Sequence, residues 1–192
     1  MQGPEQILEF WLDKVGEKGW YIQDTALDSE IRQQFQSTWE AACAGKFSMW
    51  MTYPSGALAY LILTDQLPRN MFRGDARAFE TDGLARAVAK AALDKKWDLK
   101  IDEPARQFFY LPLMHSENLV DQERCVRMFM ERMPKHGLGN LLHARAHREV
   151  IRLFGRFPYR NDALGRNSSN AERDYVDAGG YGSTVRTLQA AE

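Results

Sequence analysis

The segment 54–63 restricts the fold of this chain more than any other part of the sequence. Pro54 suits the first turn of a helix, and residues 57–63 (Ala-Leu-Ala-Tyr-Leu-Ile-Leu) place apolar side chains on every side of that helix. A helix without a polar face has to be surrounded by other elements. The run is far shorter than the ~20 residues that span a bilayer. We therefore predict a central helix in a soluble domain.

Apolar residues recur at helical spacing along the rest of the chain, and no convincing run alternates β-branched with polar residues. Residues that favour helix starts precede these segments: Pro4, Asp28, Pro54, Ser116 or Asn118, and Ser169 with Glu172 as a capping box. Residues that favour helix ends follow them: Gly45, Pro112, Pro134, Gly155 and Gly179. Short connections favour antiparallel neighbours. We predict an all-α fold, a single domain of about eight helices stacked as antiparallel hairpins over residues 1–180, with a loosely held tail over 181–192.

The composition narrows the functional classes. The chain has 192 residues and a formal net charge of -1, so it lacks the broad positive field with which proteins attract nucleic acids or anionic membranes. Its N-terminus has no signal-peptide features. Cys43 and Cys125 show no CxxC spacing, which favours two free thiols. We expect a cytoplasmic protein that has neither nucleic acid nor a membrane as a partner.

A short pattern occurs twice. The dipeptides Arg69-Asn70 and Arg160-Asn161 each follow a proline and precede a glycine that lies four residues after the asparagine. Asparagine tolerates a left-handed backbone, and arginine can reach back to carbonyls or carboxylates. Both copies are predicted to be loops that end an apolar helix.

Two histidines, His143 and His147, lie one turn apart on the apolar face of a predicted helix. The opposite face carries Arg145, Arg148 and Arg152, which we interpret as solvated. Paired imidazoles can chelate a metal, and core histidines satisfied by hydrogen bonds are the alternative. Because no third and fourth ligand follows at a diagnostic spacing, we predict no metal and no other cofactor.

Other polar residues lie where the pattern indicates burial or a tight turn. Asp65 ends the apolar helix, and Arg69 is within its reach, either as a structural ion pair or as part of a polar pocket. His115 and Glu117 share a turn, where Glu117 could take part in chemistry or only favour the next helix start. Gln122 lies on an apolar stripe, where an amide needs partners.

Several of these motifs, in order, resemble the bacterial domain-of-unknown-function family 924. They are the segments 64–74 (TDQLPRNMFRG), 77–82 (RAFETD), 110–122 (YLPLMHSENLVDQ), 147–151 (HREVI) and 154–166 (FGRFPYRNDALGR). The resemblance covers nearly the whole chain. It implies the tetratricopeptide-like all-helical fold with which that family is grouped.

The resemblance also marks the polar residues that recur in the family, and it brings no catalytic role with them. They fall on Asp65, Gln66, Arg69, Asn70, Arg73, Arg77, His115, Glu117, Asp121, Gln122, His147, Arg160, Asn161 and Arg166. The chain departs from the family pattern at Tyr159, where His is usual, and at Asn118, where Asp is usual. The first departure argues against any mechanism that needs an imidazole beside Arg160.

The favoured hypothesis is a polar pocket in which both Arg-Asn loops and the histidines converge on a small anionic ligand. The catalytic candidates are His115, His147, Asp65 and Glu117. The ligand-binding candidates are Arg69, Asn70, Arg73, Gln122, Arg160 and Asn161. A histidine acid or base beside guanidinium groups would suit hydrolysis or transfer at a phosphate or acyl group. The alternative is a tetratricopeptide-like module without catalysis that binds a protein or peptide partner.

Overall fold

The structure is a computed structural model that describes residues 1–191. These residues form helices and loops and contain no strand, so the prediction of an all-helical chain is confirmed. The α-helices are α1 (Pro4–Leu8), α2 (Gly16–Gly19), α3 (Thr25–Cys43), α4 (Pro54–Leu61), α5 (Leu67–Met71), α6 (Asp82–Asp94), α7 (Leu111–Met114), α8 (Leu119–Arg132), α9 (Leu138–Phe154), α10 (Asn170–Asp177) and α11 (Gly180–Gln189). Wider π-helical turns follow α1 and α4 over Glu9–Val15 and Ile62–Gln66, and short 3₁₀ helices cover Ser48–Thr52, Ala76–Phe79, Asp98–Lys100, Ala105–Phe109 and Pro158–Arg160. The tetratricopeptide-like arrangement of these helices stays a prediction.

The chain forms two compact units, the first over Met1–Pro112 and the second from Leu113 onwards. In the first unit, α4 is buried on every side and packs against α1 and α6, as its apolar sequence predicts. Burial of such side chains is the main stabilising contribution to a domain of this size. Within residues 1–191, no helix is both long enough and apolar enough to cross a membrane.

The π-helical turn Ile62–Gln66 accommodates the proline that follows it. Pro68 has no N–H to donate to the carbonyl of Thr64, four residues earlier. The hydroxyl of Thr81 donates to that carbonyl instead at 2.6 Å, and it accepts a hydrogen bond from Trp39 Nε1 at 3.1 Å. The buried turn therefore keeps its polar groups satisfied, and it places Asp65 at the end of the apolar helix inside the first unit.

In the second unit, α9 packs against both α8 and α11. Arg148 and Arg152 of α9 donate to Glu123 of α8 at 3.2 and 2.5 Å. These two arginines therefore hold a helix contact, whereas the sequence favoured a solvated face. The connection before α9 passes through Gly137, where a Cβ would lie 2.3 Å from the carbonyl oxygen of Met133. The close turn between α8 and α9 thus requires a glycine.

Four helix starts are confirmed. Pro4 and Pro54 lie in the first turns of α1 and α4. Asn118 caps α8 by accepting hydrogen bonds from the backbone of Val120 and Asp121, and Ser169 with Glu172 forms the capping box of α10. The fifth start is wrong by four residues. Asp24, not Asp28, caps α3, because Asp28 is buried and occupied by side chains from another part of the chain.

Pro112 and the C-terminal segment also differ from the predictions. Pro112 lies in the first turn of α7, where its missing N–H costs nothing, so it does not end a helix. The tail predicted from residue 181 is a helix, α11, whose Tyr181 ring lies 4.6 Å from the ring of His147. Gly179 takes a left-handed conformation (φ 99°), which redirects the chain onto α9. Glu192, the last residue of the predicted tail, lies outside the described residues.

Candidate functional site

A group of imidazole, phenol and guanidinium side chains gathers in the second unit. We call it the histidine cluster and define it as His115, His143, His147, Arg160 and Tyr181. His115 follows α7, the other two histidines lie one turn apart on α9, Arg160 ends the 3₁₀ helix and Tyr181 begins α11. The cluster thus combines residues that are far apart in the sequence, and it contains both sequence-predicted catalytic histidines.

The hydrogen bonding of His147 fixes its tautomer. Its Nδ1 lies 2.8 Å from the backbone carbonyl oxygen of His143. Because a carbonyl only accepts, Nδ1 carries the proton and donates it, so Nε2 of the neutral ring has a lone pair available. The ring centre lies 6.3 Å from that of His115 and 5.4 Å from that of Phe157. The fixed orientation gives His147 the form that a proton acceptor requires.

The surroundings of His147 keep the imidazole uncharged. Burial is the largest cause that lowers its pKa, and the positive charges of His115 and Arg160 lower it further. The hydrogen bond to the His143 carbonyl acts in the opposite direction and is outweighed, so the pKa falls from 6.5 to about 3. His147 is therefore neutral and only weakly basic at physiological pH, and the negative charge of a bound anion would raise its pKa towards the range of a proton acceptor.

Protonation of His147 should make the fold sensitive to acid. The unfolded chain binds this proton below about pH 6.5, whereas the folded chain resists it, so stability is present above that pH and is lost as the pH falls towards the folded value. We expect His147→Gln to reduce this acid-side loss by up to about 1 kcal/mol per pH unit. Urea unfolding of both proteins at a series of pH values measures the slope, and equal slopes would contradict the low pKa.

The second member of the α9 pair has a different environment. His143 is exposed, and its Nδ1 lies 2.6 Å from the hydroxyl of Tyr181. Burial raises the pKa of Tyr181 above its usual range, so this phenol keeps its proton. The sequence placed both α9 histidines on a buried face, but only His147 is partly enclosed. Tyr181 was missed because its hydrogen-bond partner, His143, lies 38 residues earlier in the chain, and no local pattern reveals such a relation.

Glu117 holds a loop together. Both of its carboxylate oxygens accept from Arg166, at 2.7 and 3.0 Å, and Oε1 also accepts the backbone N–H of Phe157 at 2.8 Å. Burial by itself would raise the pKa of Glu117, but these hydrogen bonds and the nearby arginine charges outweigh it and lower the pKa. Nε of Arg166 donates to Asn161 at 2.9 Å. Glu117 and Asn161, two predicted site residues, thus fix the segment that carries Arg160.

Gln122 is fully buried and has a structural contact for its amide nitrogen. Nε2 donates to the backbone carbonyls of Met114 and Ser116 at 2.6 and 2.7 Å. These carbonyls lie on either side of His115, so the amide orients the turn that presents this histidine. We therefore describe Gln122 as a positioning residue for the histidine cluster.

In the first unit, the predicted residues Asp65 and Arg69 form part of an ion-pair network. Nη2 of Arg69 lies 3.5 Å from Asp65 and 2.8 Å from Asp82, and Nη1 donates to the carbonyl of Ala78 at 2.9 Å. Asp65 also accepts from the amide of Gln66 at 2.5 Å. Two carboxylates share one guanidinium here, which leaves this group no excess positive charge.

The predicted residues Asn70 and Arg73 meet at Asp28. The amide of Asn70 donates to Asp28 at 2.7 Å, and Arg73 donates through Nε at 2.5 Å and through Nη2 at 3.0 Å. The first Arg-Asn loop therefore closes onto α3. Sequence reasoning treated Asp28 as a helix cap and so missed it as the carboxylate of this group.

The structure thus brings the predicted site residues together within each unit. Asp65, Arg69, Asn70 and Arg73 belong to the first unit, and the remaining candidates belong to the second: His115, Glu117, Gln122, His147, Arg160 and Asn161. Convergence of all ten on one ligand stays a prediction. Among residues 1–191, no group of three or more His, Cys, Asp and Glu side chains is arranged to hold a metal ion.

Comparison with known proteins adds a family but no activity. A family model described as "Bacterial protein of unknown function (DUF924)" matches residues 7–180. A solved structure, the protein of unknown function ATU0120 from Agrobacterium tumefaciens, is similar over 91% of this chain and 97% of its own, with 35% sequence identity and a TM-score of 0.84. Curated proteins give no significant match. Any functional statement therefore has to come from the geometry of the side chains.

Proposed function

Because the chain belongs to the DUF924 family of bacterial proteins, whose description names no activity, we propose its function from its own geometry: the histidine cluster binds a small anionic ligand. We further propose that Nε2 of His147 accepts a proton in hydrolysis or transfer at a phosphate or acyl group. The observation that carries both proposals is the environment of His147, a neutral imidazole with a fixed tautomer beside the positive charge of Arg160.

The charges around the cluster favour a negative ligand. Arg160 is the permanent cation among the groups that lower the pKa of His147, and His115 and His143 add positive charge only when they are protonated. The nearby carboxylate, Glu117, already receives two hydrogen bonds from Arg166. A ligand that carries negative charge would meet guanidinium and imidazole groups in the cluster.

Access to the cluster supports binding from solvent. His143 is exposed, His115 and His147 are partly exposed, and Tyr159 beside them is 41% exposed. Arg160 is buried, and its guanidinium lies 4.4 Å from the ring centre of Phe157. A charge held rigidly on an aromatic face loses little conformational entropy when it contacts a ligand.

Each residue then has a distinct role. Arg160 contributes the fixed positive charge, Nε2 of His147 contributes the lone pair that accepts a proton once the anion is bound, and the Tyr181 hydroxyl supplies a neutral hydrogen-bond donor. Glu117 and Gln122 act through other residues, since one fixes the Arg160 segment and the other orients the His115 turn. Position 159 is Tyr in this chain where the family usually has His, so the imidazole of the proposed mechanism is that of His147.

A ligand screen by thermal unfolding tests the binding proposal. Wild type should be stabilised by about 2.7 kcal/mol when inorganic phosphate, acetyl phosphate or acetate reaches about one hundred times its dissociation constant. Arg160→Gln should lose this shift. Arg127→Gln, which removes an exposed arginine of α8, is the matched control and should keep it. Equal shifts in all three proteins would contradict binding at the cluster, and no shift in wild type would favour the interaction-module alternative.

A second variant separates binding from proton transfer. In His147→Asn the side-chain amide can still donate to the carbonyl of His143, but it has no basic nitrogen. We expect this variant to keep the thermal shift with acetyl phosphate and to lose hydrolysis of that compound. Hydrolysis at the wild-type rate would show that His147 is not the proton acceptor.

A further inference from the structure

A second polar surface lies in the first unit, where α3 begins and α5 ends. It is a cleft of about 350 Å³, which we call the α3–α5 cleft, and each residue that lines it has a polar or charged side chain: Gln23, Thr25, Asp28, Ser29, Arg32, Asn70 and Arg73. The volume falls in the range of small-molecule sites, which is about 300–1,000 Å³. Asn70 and Arg73 both donate to Asp28, and the other four lining residues belong to α3 and the segment before it.

The inner wall of the cleft is rigid. Asp28 and Asn70 are 8% and 6% exposed, so both are held in place by their surroundings. Arg73 contacts Asp28 through Nε and Nη2, which leaves its Nη1 without a partner among residues 1–191. The position of one guanidinium edge is therefore fixed by a buried carboxylate, while another of its donors remains available.

Arg32 adds a second guanidinium group to the cleft. It lies one helical turn after Asp28, but its Nε donates to the backbone carbonyl of Met71 at 2.9 Å and its Nη2 contacts the same oxygen. Arg32 makes no ion pair with any residue in the described chain. The cleft therefore contains two guanidinium groups and one carboxylate, an excess of one positive charge.

Neutral donors complete the lining. The hydroxyls of Thr25 and Ser29 and the amide of Gln23 are exposed, and none of the three side chains makes a hydrogen bond within residues 1–191. Thr25 and Ser29 are four residues apart on α3, so they face the same side of that helix. Hydroxyl and amide groups of this kind bind ligand hydroxyls.

We propose that the α3–α5 cleft binds a small hydroxycarboxylate. Its carboxylate lies between Arg32 and the available Nη1 of Arg73, and its hydroxyl groups contact Ser29 and Thr25. A monoanion matches the excess charge of the cleft, and planar guanidinium groups suit a planar carboxylate. The proposed site uses residues of the first unit and shares no residue with the histidine cluster.

Titration calorimetry with gluconate, the hydroxycarboxylate probe, tests this proposal. Arg32→Gln should weaken gluconate binding at least tenfold, because a charge-assisted contact is lost, while glutamine can still donate to Met71. Ser29→Ala should weaken it less, by about threefold, because one neutral hydrogen bond is lost. Arg127→Gln on α8 is the matched charge control and should bind gluconate like wild type.

Four outcomes would overturn the assignment. If wild type fails to bind gluconate, the cleft is not a gluconate site. The same conclusion follows if Arg32→Gln binds gluconate as tightly as wild type. Inorganic phosphate that competes with gluconate at equal affinity would show a site for anions in general and not for carboxylates. His147→Asn should leave gluconate affinity unchanged, and a loss there would place the binding in the histidine cluster instead.

Discussion

Glu117→Gln should lower the free energy of unfolding by about 2–3 kcal/mol, because it leaves the partly buried guanidinium of Arg166 without its carboxylate. The hydrogen bond from the backbone of Phe157 would also lose its charged acceptor. Since the folded-state pKa of Glu117 is lowered, its contribution is present above the unfolded-state pKa of 4.5 and is lost as the pH falls. Urea unfolding near pH 7 and near pH 3 should therefore show a difference between the proteins that shrinks in acid.

A control separates this effect from a general loss of surface charge. Glu149→Gln removes a half-exposed carboxylate that lies 3.9 Å from Arg152, and we expect it to change stability little. If Glu117→Gln kept wild-type stability and yet lost the response to anions, Glu117 would contact the ligand. It would then be a catalytic or binding residue, and its role as a support for the loop would be wrong.

Features that depend on neighbours within one turn could be predicted from the sequence. Asn118 and the Ser169–Glu172 pair cap their helices because each side chain bonds to backbone no more than three residues away. The burial of α4 on every side likewise follows from its own composition. The family resemblance, carried by several ordered motifs, is confirmed by the match over residues 7–180.

The choice between similar local signals could not be predicted, because distant residues decide it. Asp24 and Asp28 are equally good caps, but Asn70 and Arg73, 42 and 45 positions further along the chain, draw Asp28 into a buried contact. Asp24 then remains to cap α3. A capping side chain stabilises its helix by about 1 kcal/mol. Several tertiary hydrogen bonds to a charged carboxylate together stabilise the fold by more than that.

In the candidate site, too, local features could be predicted from the sequence and distant contacts could not. The residue types were identified from the sequence, since buried polar side chains on apolar stripes need partners. The partner of each side chain could not be identified from the sequence, because the partners lie far apart along it. Glu117 and Arg166 are 49 positions apart, and Arg32 reaches a backbone carbonyl 39 positions away. Arg32 escaped notice because an arginine on an exposed helix face carries no local sign that its charge is unbalanced.

Asp65→Ala should lower the free energy of unfolding by about 3 kcal/mol, which distinguishes the two interpretations that its sequence position leaves open. The carboxylate is 1% exposed and accepts from Gln66 at 2.5 Å, so its removal leaves buried donors without an acceptor. Arg69 keeps Asp82 at 2.8 Å, and this places the loss at the lower end of the range for broken buried pairs, which is about 3–5 kcal/mol. Chemical denaturation measures the change.

The exposed pair of Asp75 and Arg77, at 3.1 Å, supplies the comparison. Asp75→Ala removes a carboxylate of the same type from a solvated position, where it also caps the 3₁₀ helix Ala76–Phe79, so it should lower stability far less than Asp65→Ala does. A large loss in Asp65→Ala beside a small one in Asp75→Ala would identify Asp65 as a structural partner of Arg69. If Asp65→Ala instead unfolds like wild type, the buried carboxylate does not stabilise the fold, and a role in ligand binding becomes the explanation for a charge in the apolar interior.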